Sequence, residues 1–135
     1  MIFLILILIA ASITDLKTRT VPYMIPILAV LIRIVEYIVQ SDSLVRDLIY
    51  ASIIFFILLL GAFMGGVGGA DCLIGACIGL YMGQYAVYAI LVAVLSSLPQ
   101  ALRKKDKEFP FVPYLFFGTI IALIIWYTKG EVRWY

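Results

Sequence analysis

The sequence predicts an all-α membrane protein, a polytopic bundle of about six transmembrane helices, and three observations carry that expectation. The 135 residues are 65% hydrophobic and 13% charged, with a mean hydropathy of +1.15, whereas a soluble domain is about half apolar and a quarter charged. A chain this small, folded in water, has too much surface for so few polar residues to cover. The apolar residues also come in long continuous runs rather than in alternation. Backbone in lipid must satisfy its own hydrogen bonds, which leaves helices or a closed barrel, and continuous runs select helices. No soluble segment is left over, so residues 1–135 are read as one membrane-embedded domain.

Met1 to Ser12 is almost wholly aliphatic and lacks the basic start of a secretory signal, so it reads as a retained, short first helix. Asp15-Leu16-Lys17-Thr18-Arg19-Thr20-Val21-Pro22 reads as a polar junction, with Pro22 in the first turn of a second helix reaching about Gln40. Ser41-Asp42-Ser43 supplies a loop and cap before a third helix, Leu44 to Met64, whose charged start at Arg46 and Asp47 reads as solvated. The glycine-rich stretch from Gly65 to Gly69 stops it. From Cys72 to Leu102 the chain is apolar for roughly 30 residues, more than the about 20 that one crossing needs, and Gly83-Gln84 divides it into a fourth and a fifth helix. Arg103-Lys104-Lys105-Asp106-Lys107-Glu108 is the one real charge run. Phe109-Pro110-Phe111-Val112-Pro113 follows as a stiff connector, then a sixth helix from Tyr114 to Tyr127 and a polar-aromatic tail.

Six crossings put Lys17, Arg19, Arg103, Lys104, Lys105 and Lys107 on one side, which the positive-inside rule makes cytoplasmic. Arg46, Lys129 and Arg133 fall opposite, and Tyr37, Tyr50, Tyr81, Tyr85, Tyr88, Trp126 and Trp134 gather toward that outer interface. Two helices separate Asp15 from Asp71, so both carboxylates return to the cytoplasmic face.

A net charge of +2 gives no nucleic-acid footprint, and the lack of His removes a histidine metal site; no metal and no cofactor is expected. Cys72 and Cys77 read as small buried hydrophobes rather than a disulfide or ligand pair. Oligomeric state leaves no signal in the sequence.

Asp71, Gly75, Gly79 and Gly83 recur every four residues, so in a helix they form one stripe that admits a neighbouring helix closely and turns the acid inward. Asp15 has Ala11 and Ser12 one turn before it, again a small-residue face. Taken alone, Asp15 is explained as an interfacial charge balanced by Lys17 and Arg19, and Asp71 as a helix N-cap. Their occurrence together at one face favours function, since ionisable groups at membrane depth are functional candidates by default. Arg33 and Glu36 read as an intrahelical ion pair or snorkelling residues, and Asp42, Asp47, Asp106 and Glu108 as solvated loop or helix-end charges.

Two carboxylates close together in a poorly solvated site share a proton and titrate as a coupled pair. One then serves as base toward a water while the protonated partner polarises a carbonyl, which is peptide hydrolysis of the aspartyl type. At these residues the sequence resembles the catalytic domain of type IV prepilin peptidases, the GxGD-type membrane aspartyl proteases. Asp15 to Pro22 is similar to the first motif of that family, an acid followed by basic residues and a hydrophobic-Pro pair, and Gly68-Gly69-Ala70-Asp71 is similar to the second. Ala70 stands where the family motif has Gly, Leu73 where many members have Lys, and Tyr23 where Asn often follows Pro.

The resemblance implies catalytic roles for Asp15 and Asp71, with Gly68, Gly69, Ala70 and Pro22 forming the substrate or active-site loop. It implies a short, peptidase-only form, without the methyltransferase region, in the inner (cytoplasmic) membrane of a prokaryote. Its partners would be the lipid bilayer and a prepilin or pseudopilin precursor, whose short basic leader is removed at the cytoplasmic face. A different class of function, a small ion- or proton-coupled transporter using Asp15 and Asp71 as ion sites, suits the acids and glycine breaks, but the chain has no internal repeat and the acids lie near one face.

Overall fold

The computed structural model describes residues 2–18, 22–40, 44–63, 68–103 and 111–130. They form α1 (Ile2–Thr18), α2 (Met24–Gln40), α3 (Leu44–Phe63), α4 (Gly69–Met82), a 3-10 turn (Gly83–Tyr85), α5 (Ala86–Arg103) and α6 (Val112–Thr128). The all-α expectation is met. Large aliphatic and aromatic side chains project outward, among them Phe3, Leu6, Ile38, Val39, Phe56, Leu60, Leu95 and Ile124, as lipid contact requires.

The count of about six crossings is coarser in the structure. Two helical stretches have the length and apolarity to cross a bilayer, Leu44–Phe63 and the continuous Gly69–Gln100, and Val112–Thr128 is a shorter apolar helix. The physical reason is that α4 and α5 follow one another through a single 3-10 turn with no loop between them. Helices α1, α2 and α6 are 17 residues each, at the short end of what spans a bilayer.

The expected break at Gly83-Gln84 is that turn, and Gly83 adopts φ +56°, ψ −127°, which side-chain-bearing residues avoid. The glycine stripe packs as expected. A Cβ on Gly75 would meet Leu58 and Ile54, one on Gly79 would lie 2.6 Å from Ala51 Cα, and one on Gly83 would lie 2.9 Å from Asp47 Oδ1, so α3 runs antiparallel along α4. A second close approach was not foreseen: a Cβ on Gly118 would lie 2.2 Å from the Ala89 carbonyl oxygen, which brings α6 against α5. One apolar core joins the bundle, with Leu4 and Leu8 of α1, Ile54 of α3, Ile74 and Ile78 of α4, and Leu115 of α6 at or near zero exposure.

Candidate active site

The first turn of α4 fixes Asp71. Gly68 is the N-cap in extended conformation, and its N–H donates to Asp71 Oδ2 at 3.1 Å, so the acid is held by the loop that precedes it. The helix begins at Gly69 rather than at Cys72 as the sequence suggests, and Asp71 is its third residue rather than its N-cap. A carboxylate in a first turn is favoured by the helix dipole, and it leaves Asp71 8% exposed. Ala70 packs half-buried against the apolar core, so its extra methyl points into the protein rather than into the loop.

Asp15 sits within α1, not in a junction after it. Nothing in Ile13 to Thr18 breaks a helix: the Thr14 and Thr18 hydroxyls donate to carbonyls one turn back, and Lys17 lies in the last turn where the dipole favours a cation. Asp15 is 5% exposed, and its Oδ2 accepts the N–H of Val112, the first residue of α6, at 3.2 Å. Lys17 is exposed, and no Asp15–Lys17 ion pair occurs among the described residues; Arg19 lies outside them. The carboxylate thus meets a helix N-terminus, where unpaired N–H groups gather, in place of a surface cation.

Several contacts locate both acids at one end of the bundle. The Tyr23 hydroxyl, at the start of α2, lies 3.1 Å from where a Cβ on Gly69 would stand. Because α2 follows α1 directly, the end of α1 and the start of α4 are neighbours, and the two helices touch. Tyr114 at the start of α6 hydrogen-bonds Gln100 near the end of α5 at this same end. Pro22, Gly68 and Gly69 are exposed there, and the Pro22 carbonyl accepts the Ile25 N–H at 3.1 Å just ahead of α2, which begins at Met24. The basic run beyond Arg103 lies outside the described residues.

The opposite end holds a charge cluster of which sequence reading gave only the Arg33–Glu36 pair. Asp47 is 7% exposed rather than solvated: its Oδ2 accepts the Tyr37 hydroxyl at 2.6 Å and lies 3.7 Å from Arg33. Arg33 also pairs with Glu36 at 2.9 Å and donates through Nε to the Leu80 carbonyl, which Tyr37 shares. Arg33 stacks over the Tyr37 ring and lies over the Tyr81 ring. A carbonyl in the last turn of α4 has no partner within its own helix, and α2 supplies one. Tyr85 stacks on Trp126 at 5.3 Å at this end, and Tyr37, Tyr81 and Tyr85 are buried within the bundle; Trp134 lies outside the described residues. Cys72 and Cys77 are buried, free thiols, and no group of three or more metal-ligating side chains occurs among the described residues.

Two acids thus lie buried at one end of an apolar helical bundle, Asp71 in the first turn of α4 after Gly68 and Asp15 in the last turn of α1. The sequence matches the type IV leader peptidase family over residues 2–128. The chain belongs to the type IV leader peptidase family. No curated protein and no solved structure matches it. A leader peptidase of this family is a polytopic inner-membrane aspartic endopeptidase that acts on prepilin-like precursors, and that is the activity of this chain. The transporter reading gives way to that assignment.

Proposed function

We propose that Asp15 and Asp71 are the two catalytic carboxylates, acting at the cytoplasmic face on a precursor whose basic leader stays in water while its apolar helix enters the bundle. The observation that carries this is the burial of both acids at the same end, each with an oxygen held by a backbone N–H. Asp47, the third buried acid, is neutralised by Arg33 at the other end. Six crossings, with Lys17 and Arg103 on the cytoplasmic side, make this end the one that faces the leader.

In the poorly solvated pair one carboxylate is ionised and the other protonated. The ionised one draws a proton from water as it attacks the scissile carbonyl. The protonated one donates to the carbonyl oxygen, and the tetrahedral intermediate collapses with a proton passed to the leaving amine. Backbone N–H groups of Gly68 and Val112 orient the two acids. The exposed Gly68, Gly69 and Pro22, with Ala70 beneath them, form the rim over which the precursor main chain passes.

The test is cleavage of a leader-bearing precursor by the purified protein in detergent. Asp15→Asn and Asp71→Asn should each lower kcat by about 100-fold or more without lowering the melting temperature, while Asp42→Asn and Asp106→Asn leave it unchanged. Full activity in a folded Asp15→Asn or Asp71→Asn protein refutes the pair. Thiol labelling of single cysteines at Thr18 and Lys105 should report both on the cytoplasmic side.

A further inference from the structure

Ser12 stands apart from the other buried hydroxyls of the described helices. Thr14, Thr18, Ser52 and Thr119 donate to the carbonyl four residues back at 2.7–2.8 Å, and Ser97 and Thr128 to the one three residues back. That bond is open to any helical serine. Ser12 is 8% exposed, yet its Oγ has no hydrogen-bond partner among the described residues, and it is the one buried side-chain oxygen there of which this is true. A buried hydroxyl left unpaired is destabilising, and a native structure keeps few of them. Ser12 lies on the inward stripe of α1 with Leu4, Leu8, Ala11 and Asp15. It stands three positions before Asp15, so it sits just under one helical turn, about 4.5 Å, deeper in the bundle.

We propose that the Ser12 hydroxyl is a substrate-binding group, which accepts a hydrogen bond from a main-chain N–H of the precursor just beyond the scissile bond. The inference rests on Asp15 being an active-site acid. Donation to a carbonyl one turn back would still leave the acceptor lone pairs of this closed-off oxygen unused, so a donor that enters with the precursor can fill them. The precursor brings such groups. To be cut, its chain must leave regular helix at the scissile bond, and the first N–H groups of the apolar helix that follows then lack partners. In lipid no water replaces them. The side of Asp15 away from the leader is where that helix begins, and Ser12 is on that side.

The experiment measures kcat, KM and melting temperature for Ser12→Ala, Ser12→Thr and Asp15→Asn in the full chain. The precursors carry either normal amides or a main-chain ester at the second, third or fourth residue beyond the cut. Ser12→Ala should raise KM about 3- to 10-fold with kcat little changed, the effect of one uncharged hydrogen bond used in binding. Its melting temperature should be unchanged or higher, because an unpaired hydroxyl is removed, and Ser12→Thr should restore KM. One ester position should weaken binding to the wild type and have no further effect on Ser12→Ala. A wild-type KM for Ser12→Ala, a lower melting temperature that accounts for its lost activity, or additive losses at every ester position overturns the proposal. Full activity of Asp15→Asn overturns the active-site reading itself; an inactive Asp15→Asn beside a wild-type Ser12→Ala overturns Ser12 alone.

Discussion

Alanine at Gly79 forces α3 and α4 apart, because the added Cβ would stand 2.6 Å from Ala51 Cα and 2.9 Å from Ala51 N. Carbon atoms settle at about 3.5–4.0 Å, so the helices must separate by about 1 Å. Overpacking of this kind costs about 1–3 kcal/mol, against which alanine returns up to about 1 kcal/mol of helix propensity. At Gly75 the nearest atom is closer still, Leu58 Cδ1 at 2.2 Å, but it is the far end of a flexible side chain. Turning it aside costs about 0.5–1.5 kcal/mol, which the propensity gain offsets. Thermal unfolding in detergent should therefore rank Gly79→Ala well below Gly75→Ala. Cleavage should fall about 100-fold for Gly79→Ala, since α4 carries Asp71 and misplacement by 1 Å is costly to reaction geometry. Ala51→Gly should not rescue Gly79→Ala, because the blocking atoms are backbone. A Gly75→Ala protein as unstable as Gly79→Ala, or rescue by Ala51→Gly, refutes the backbone-contact argument.

At the far end, Asp47→Ala removes the 2.6 Å acceptor of the Tyr37 hydroxyl and the second carboxylate beside Arg33, which keeps Glu36, and should cost about 1–3 kcal/mol of stability. Asp47→Asn, which still offers Tyr37 an oxygen, should cost less, and the two melting temperatures check the order. Gly118→Ala would set a Cβ 2.2 Å from the Ala89 carbonyl oxygen; it should cost about 1–3 kcal/mol. It should also depress cleavage by shifting the N-terminus of α6 away from Asp15, and wild-type values of both melting temperature and rate would refute that.

What the sequence made legible is local and periodic. The four-residue spacing of Gly75, Gly79 and Gly83 could be read as a contact stripe because it matches the helix repeat, and the structure lays α3 along it. The acids were legible because a carboxylate in so apolar a chain is conspicuous. Asp47 was misread because a charged first turn after a Ser-Asp-Ser loop is the usual mark of a solvated helix start. Its burial depends on Tyr37 ten residues earlier and on the space left by Gly83, contacts that no local pattern encodes. Asp15 was set outside its helix because the polar residues after Ser12 resemble a loop. Its partner Val112 is 97 residues away, and that contact is what makes a buried acid tenable in the last turn of α1. Gly118 has no repeating partner in sequence, so its seat against Ala89 left no signal.

The two proposed catalytic acids belong to different halves of the bundle. Helix α4 packs most extensively on α3 and next on α2, whereas α6 packs most extensively on α5 and next on α1; the contacts of α4 with α1, α5 and α6 are thinner. Asp71 therefore rides on a half fixed by the glycine stripe and, at its far end, by Arg33 and Tyr37 on the Leu80 carbonyl. Asp15 rides on the other half and is fixed by the start of α6. One apolar core and the continuous run of α4 into α5 join the halves, so the separation of the two carboxylates is set by the thinner contacts of α4 with α1 and α6. In the proposed mechanism the precursor main chain passes between the two acids, and those thinner contacts are where their separation adjusts. On that proposal, thin packing between the halves is where stability is yielded to activity, and close packing within each half, as along the glycine stripe, holds each acid in place.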